Sequence, residues 1–278
     1  MAQFLTGRRR WLASTGAMAA LTLAGGRAAR PADSIEVPAA GYRYLPGNPV
    51  YAVGAVALPG FEVVHALLDE WLPLEDGYAA VEAHLRSVGR PMQALCGMEL
   101  RLPRQLSPDE FRAFNAPYVE RLVRWGLLGQ GSNPVSRTNV APALEPPEAP
   151  ALHGFSYCMP SPGSAGGDFV MAGMTESGPG GIVAPGDVSP AGLRAKLDFL
   201  VRAVDQRITT LGASLAAPAQ VDFYAAHPME GLLAELLLPA IDRSARRGLR
   251  WHYGRPPVTG AELELEARRF SREIVVRA

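Results

Sequence analysis

The order strand, helix, strand, helix, strand occurs twice along this chain, and that repetition constrains its fold more than any single residue does. The clearest helix covers 189–211. Ser189 suits the N-cap, Pro190 the first helical position and Gly212 the C-terminal stop. Leu193, Leu197, Leu200, Val204, Ile208 and Leu211 recur at three- and four-residue steps and give one apolar stripe. Apolar strands are expected at 168–174 before it and at 220–224 after it. A helix over 231–246 and closing strands at 249–253 and 262–270 complete this half. The last strand alternates Glu262, Leu263, Glu264, Leu265 and Glu266, which by pattern alone puts the acids in water and the leucines in a core.

The first half runs similarly. A strand is expected at 50–58, a helix at 76–88 ending at Gly89, and a strand at 93–100. Ser107-Pro108-Asp109-Glu110 forms a capping box that opens a second helix through Phe114, Tyr118, Leu122 and Trp125. A strand at 137–141 follows. The segment 142–150, rich in Pro, Ala and Glu, reads as an extended linker. The expected class is α+β, with tandem units at 41–145 and 151–278, each a mainly antiparallel sheet with two helices on one face.

Residues 1–30 differ from the rest. They hold Arg8, Arg9, Arg10, Arg27 and Arg30, no acid, and a short, weakly apolar segment over 13–26. Arg8-Arg9-Arg10-Trp11-Leu12 is close to a twin-arginine signal, so export to the periplasm is expected. The alternative is a start codon assigned too far upstream of a cytoplasmic protein. No run approaches the roughly 20 apolar residues of a membrane span. The whole chain has 27 basic and 27 acidic residues; without the five leader arginines, 22 face 27, a net charge near −5. That acidity argues against a nucleic-acid partner.

The residue inventory excludes further classes. Lys196, the only lysine, sits mid-helix and is poorly placed for Schiff-base chemistry. The histidines, at 65, 84, 153, 227 and 252, lack metal-site spacing, and no Cys-x-x-Cys occurs. A zinc deaminase is therefore disfavoured, and no metal or organic cofactor is expected. Cys96 and Cys158 lie in apolar runs and read as buried thiols.

Phe114-Asn115-Ala116-Pro117-Tyr118, then Pro134-Val135-Ser136-Arg137-Thr138-Asn139-Val140, and later Ala172-Gly173 and Glu264-Leu265-Glu266-Ala267, resemble motifs of the RidA (reactive intermediate deaminase) superfamily. The runs 133–140 and 251–257 are similar to those of its longer, duplicated branch, which includes 2-aminomuconate and 2-amino-5-chloromuconate deaminases. The resemblance implies a carboxylate-gripping Arg137, a water-directing Glu264, and substrate contacts from Asn115, Tyr118 and Gly173. It also implies packing of three such units around an axis, hence a trimeric or pseudo-trimeric homo-oligomer. Neither half carries a full set, so a composite site is expected, with Arg137 and Asn115 from the front half and Gly173 and Glu264 from the back.

The implied reaction is hydrolysis of an enamine or imine beside a carboxylate, giving a keto acid and ammonia. A guanidinium holds a carboxylate through two parallel hydrogen bonds that lysine does not copy, so Arg137→Lys is expected to lose most activity. The alternative is a member of the superfamily that binds a small carboxylate or stabilises a complex without turnover. His252 and Tyr253 read as packing residues, with lining of the cleft as the alternative.

Overall fold

The computed structural model describes residues 34–128, 132–218 and 220–277; the expected leader lies outside them. β1 (Ile35–Val37), β2 (Tyr42–Leu45) and β3 (Gly54–Ala57) form an antiparallel meander. Then come β4 (Phe61–Pro73), α1 (Leu74–Ser87), β5 (Leu95–Arg101), α2 (Pro108–Arg124), β6 (Ser136–Pro142) and β7 (Ala151–Pro160). The chain continues with β8 (Phe169–Met171), β9 (Met174–Thr175), the small hairpin β10 (Ser177–Gly178) and β11 (Gly181–Ile182), and α3 (Pro190–Thr210). It closes with β12 (Gln220–Ala225), a broken helical run over 230–248, β13 (Leu249–His252), β14 (Gly254–Arg255), β15 (Leu263–Arg269) and β16 (Arg272–Val276). Among the described residues, no helix is long and apolar enough to cross a membrane.

The strands make two large sheets. The front sheet runs β14-β6-β5-β7-β4-β16, and the back sheet β1-β2-β3-β8-β15-β12-β13, with β9 also on β15. Within them, β6-β5-β7-β4 and β13-β12-β15-β8 have the same succession of one parallel and two antiparallel pairings. The helices lie outside. Val81, Leu85, Tyr118 and Leu122 of α1 and α2 pack on Met98, Leu100 and Phe155 of the front sheet. Leu193, Leu197, Leu200, Val204 and Ile208 of α3 pack on Val221, Phe223, Leu263 and Leu265 of the back sheet. Both helix starts behave as their sequences require. Ser107 and Glu110 complete a reciprocal capping box, and Ser189 caps Gly192 N–H ahead of Pro190.

The inner faces of the sheets meet. Tyr42, Tyr44, Ala55, Val63, Val170 and the free, buried Cys96 and Cys158 form an apolar layer between them. Beyond it the interior turns polar, and Arg268 of β15 is its tie. Arg268 is 1% exposed, with Nη1 2.5 Å from Glu99 Oε1 of β5 and Nη2 2.7 Å from Glu266 Oε1 on its own strand. His65 of β4 joins Glu99 at 2.8 Å through Nε2 and Glu273 of β16 at 3.0 Å through Nδ1. Thr138 of β6 donates to Glu266 Oε2 at 2.5 Å. Burial alone would raise the Glu99 pKa, but Arg268 and His65 hold it well below the ordinary value.

Several expectations need correction. The segment 142–150 is no linker between units, because β7 pairs with β4 and β5 in the front sheet. The second unit therefore does not begin at 151. β1–β3, read with the first half, belong to the back sheet, while β14 and β16 return from the second half to the edges of the front sheet. The sheets are mainly antiparallel, as expected, but mixed: β5·β6, β12·β13 and β4·β16 are parallel pairs. The helix expected over 231–246 is broken, with a π turn at Leu233–Leu237 and Pro239 just beyond. β4, a 13-residue strand, was not expected at all. Its run of polar and apolar residues from Leu67 to Pro73 surrounds a register shift, which obscures the two-residue period.

Removing one partner of a buried ionic cluster strands the others without compensation. Arg268→Met should therefore lower stability by about 3–5 kcal/mol. Arg272→Ala, which loses a half-exposed pair with Glu62, should cost less than about 1 kcal/mol. Urea unfolding of both variants checks this, and equal midpoints would refute the tie.

Candidate functional site

Between the sheets, beside the polar layer, lies a cavity of about 320 Å³. Arg101 ends β5 and Val140 lies opposite it on β6, so the front sheet supplies one wall. Tyr224 of β12 and Trp251 and His252 of β13 supply the other. Trp71 and Tyr253, 39% and 52% exposed, stand at the mouth. Trp71 is fixed there by its indole N–H, which donates to His153 Nδ1 at 3.0 Å. Burial, followed by the Arg101 charge, pushes the His153 pKa down to about 3, so its ring stays neutral and able to accept.

Arg101 is the cation of this cavity. It is 4% exposed, donates to Leu100 O at 3.1 Å, and its guanidinium lies 5.7 Å from the centroid of the Tyr224 ring. Among the described residues it forms no ion pair with a carboxylate. The neighbouring cation of the interior, Arg268, is surrounded by carboxylates; Arg101 is not. A buried guanidinium without an anion is costly unless something negative reaches it, and a cavity at its tip admits a ligand that can.

On the opposite wall, His252 Nε2 is 2.8 Å from Asp222 Oδ1, and its ring stacks on Tyr224 at 4.7 Å. Asp222 is 2% exposed and takes a second hydrogen bond from Gln220 Nε2 at 2.5 Å. Burial opposes its ionisation, yet the His252 hydrogen bond and the Arg268 charge hold its pKa below the ordinary value. The Tyr224 hydroxyl donates to Glu266 Oε1 at 2.6 Å, and burial pushes its pKa well up.

The residues expected to form one composite site fall into two groups. Arg137 is 5% exposed and donates to Asn115 Oδ1; its guanidinium lies 4.3 Å from the Tyr118 ring centroid and 5.9 Å from that of Phe114. Asn139, with its amide oriented as its neighbours require, accepts from Arg137 Nε at 3.2 Å and Nη2 at 3.1 Å. Nη1 has no hydrogen-bond partner. So Arg137, Asn115 and Tyr118 do come together, but on the helix face of the front sheet, beneath α2. Thr138, the next residue, projects the other way and meets Glu266 and Gly173 on the inner face. Arg137 therefore does not face Glu264 across a shared crevice.

Glu264 and Gly173 form the second group. A Cβ at Gly173 would collide with the Glu264 carboxylate and with Thr138, which explains the glycine. The Gly173 N–H is already committed to Thr138 Oγ1 at 3.0 Å, so it does not point free at a developing charge as expected. Glu264 stands cross-strand from Tyr224, on the inner face but outside the cavity wall. Its strand start is clamped by Glu176, which accepts from Glu262 and Leu263 N–H and pairs with buried Lys196 at 3.2 Å. Glu264 is not on a solvated face, because β15 is buried on both sides. Sequence reading missed Arg101, Asp222 and Tyr224, and preferred packing roles for His252 and Tyr253, which line the cavity. The only available signal was a charge ending an apolar strand at Arg101, and an acid inside another at Asp222.

Glu264 is pushed toward its neutral form. Burial first, then the nearby Glu266, pushes its pKa well up, and Oε2 has no partner. A raised carboxyl pKa gives stability that is full below about pH 4 and is lost as pH rises through the folded-state value. Wild type should therefore lose stability relative to Glu264→Gln between about pH 5 and about pH 8. Urea midpoints at both pH values read this out; a constant difference would contradict it.

The family model described as 2-aminomuconate deaminase CnbZ matches residues 34–274. A 2-amino-5-chloromuconate deaminase from Comamonas testosteroni is 37% identical over 256 residues, covering 88% of this chain and 99% of that protein. A chorismatase crystal structure, 11% identical, superposes with a TM-score of 0.50 over 85% of this chain and 78% of its own, a likeness of fold alone. The match of a family model across both sheets, together with the identity over nearly the whole chain, establishes that this chain belongs to the 2-aminomuconate deaminase family.

Proposed function

We propose that the chain hydrolyses the amino group from an unsaturated amino dicarboxylic acid of the 2-aminomuconate kind, in the cavity between its sheets. The observation that carries this reading is Arg101, a buried guanidinium without a carboxylate partner at the wall of a cavity of about 320 Å³. Arg101 would grip one substrate carboxylate through paired hydrogen bonds. Trp71, Trp251 and Tyr224 offer aromatic surfaces to a planar conjugated chain. Held between these walls, the reacting carbon is fixed in one orientation.

The chemistry begins from an enamine, whose carbon accepts a proton to give an electrophilic iminium. Solvent water at the cavity mouth supplies that proton. Water then adds to the iminium carbon, and ammonia leaves as the ketone forms. Arg137, with Asn115 and Tyr118, is reassigned from gripping substrate to bracing α2 against β6. The matched pairing order of the two sheets supports a further element of the proposal: each sheet with its outer helices is one copy of a duplicated unit, with edge strands exchanged between copies.

Ammonia release from freshly generated 2-aminomuconate tests the reading. Arg101→Lys should raise KM at least about tenfold with the fold intact. Arg137→Lys should instead lower the unfolding midpoint and leave KM within about threefold, the cost of losing one buried hydrogen-bonded group. The reverse pattern would return the carboxylate to Arg137. Muconate binding without ammonia release would make the chain a carboxylate-binding protein instead.

A further inference from the structure

We infer that His252, oriented by Asp222, is the base that takes a proton from the attacking water in the Arg101 cavity. This rests on the deaminase reading above and assigns it a residue. Hydrolysis needs a group on the cavity wall that accepts a proton near neutral pH and can give it back. Arg101 stays cationic and has no acceptor. The Tyr224 hydroxyl is engaged with Glu266. Trp71, Val140 and Trp251 offer no base, and Tyr253 presents a phenol, which donates a proton more readily than it accepts one. His252 is the wall residue with the required chemistry.

Its geometry suits the role. The carboxylate of Asp222 lies 2.8 Å from Nε2, so Nε2–H donates and the Nδ1 lone pair stays available. Stacking on Tyr224 fixes the ring plane, while the side chain remains 37% exposed where the cavity opens. Asp222 is itself held by Gln220 and lies 3.8 Å from Arg268, so the orienting group is anchored to the tie between the sheets. The charged and titratable groups around His252 are Asp222 and Tyr224 on β12, Arg101 on β5, and Tyr253 beside it. Arg250, on the same strand, is directed to Glu273 of β16 at 3.6 Å.

The steps balance. With the enamine carbon protonated from solvent, water oxygen bonds to the iminium carbon, the C=N electron pair moves to nitrogen, and a water proton passes to Nδ1. The imidazolium then returns that proton to the carbinolamine nitrogen. The C–N bond breaks as the hydroxyl oxygen forms C=O, ammonia departs, and the hydroxyl proton passes to solvent, replacing the one taken up by the enamine carbon. Enamine and water have become ketone and ammonia, with His252 regenerated.

The test is the pH dependence of kcat and KM for 2-aminomuconate deamination by wild type, His252→Gln and Asp222→Asn, with urea midpoints taken alongside. His252→Gln should cut kcat about a hundredfold or more, leave KM within about threefold and remove the acid limb of the kcat profile. Asp222→Asn should lower kcat about tenfold or more with KM within about threefold, because the ring loses the carboxylate that orients it. If Asp222→Asn does not fold, His252→Gln decides alone, since its side chain is partly exposed. An active wild type whose His252→Gln variant keeps kcat within about twofold, or keeps the same acid limb, overturns this assignment and leaves the deaminase reading standing. A wild type that releases no ammonia overturns both.

Discussion

Arg268 between two sheets is the interaction on which the rest of the molecule depends. A guanidinium 1% exposed needs anions, and it finds them on both sheets: Glu99 from the front, Glu266 and Asp222 from the back. A buried ionic cluster is a poor source of stability compared with apolar packing of similar volume, but it is intolerant of the wrong register. A slip of one residue in β15 would turn Glu264, Glu266 and Arg268 toward the helices and the leucines toward the charges. The network thus specifies how the sheets face each other, and the apolar layer around Tyr42, Cys96 and Cys158 supplies the close packing beside it.

That arrangement also accounts for the contrast between neighbouring interior cations. Arg268 has carboxylates of the protein around it. Arg101, two residues beyond Glu99 on the same face of β5, is left without an anion where the sheets enclose a cavity. Asp222 connects these regions, since one carboxylate faces Arg268 and also orients His252 at the cavity wall. Glu264 completes the pattern by being buried too far from Arg268's control to ionise readily. Carboxyl groups on one inner surface are thus pushed in opposite directions by their different neighbours.

Much of the fold was legible along the chain. The capping box at Ser107, the Ser189-Pro190 start and the leucine stripe of α3 are local signals, and local signals survive into the structure. The assignment of strands to sheets was not legible, because pairing is a long-range property. β7 follows a proline-rich segment that looks like a domain linker, yet it fills the middle of the front sheet. β15 misled for a related reason: alternating acids and leucines describe a half-solvated strand unless a second sheet brings its own cations to the acids. The same limit applies to the site. Asn115, Tyr118 and Arg137 were rightly grouped, but whether a strand residue faces helix or cavity depends on a register that single-residue spacing does not fix.

The most direct measurement is a crystal structure of the protein with muconate, a dicarboxylate that has no amino group to lose. If the cavity between the sheets is the substrate site, a carboxylate of the ligand will lie within hydrogen-bond distance of the Arg101 guanidinium, with the conjugated chain against Trp251 and Tyr224. Muconate bound beneath α2 at Arg137, with the Arg101 cavity holding only solvent, would contradict that assignment.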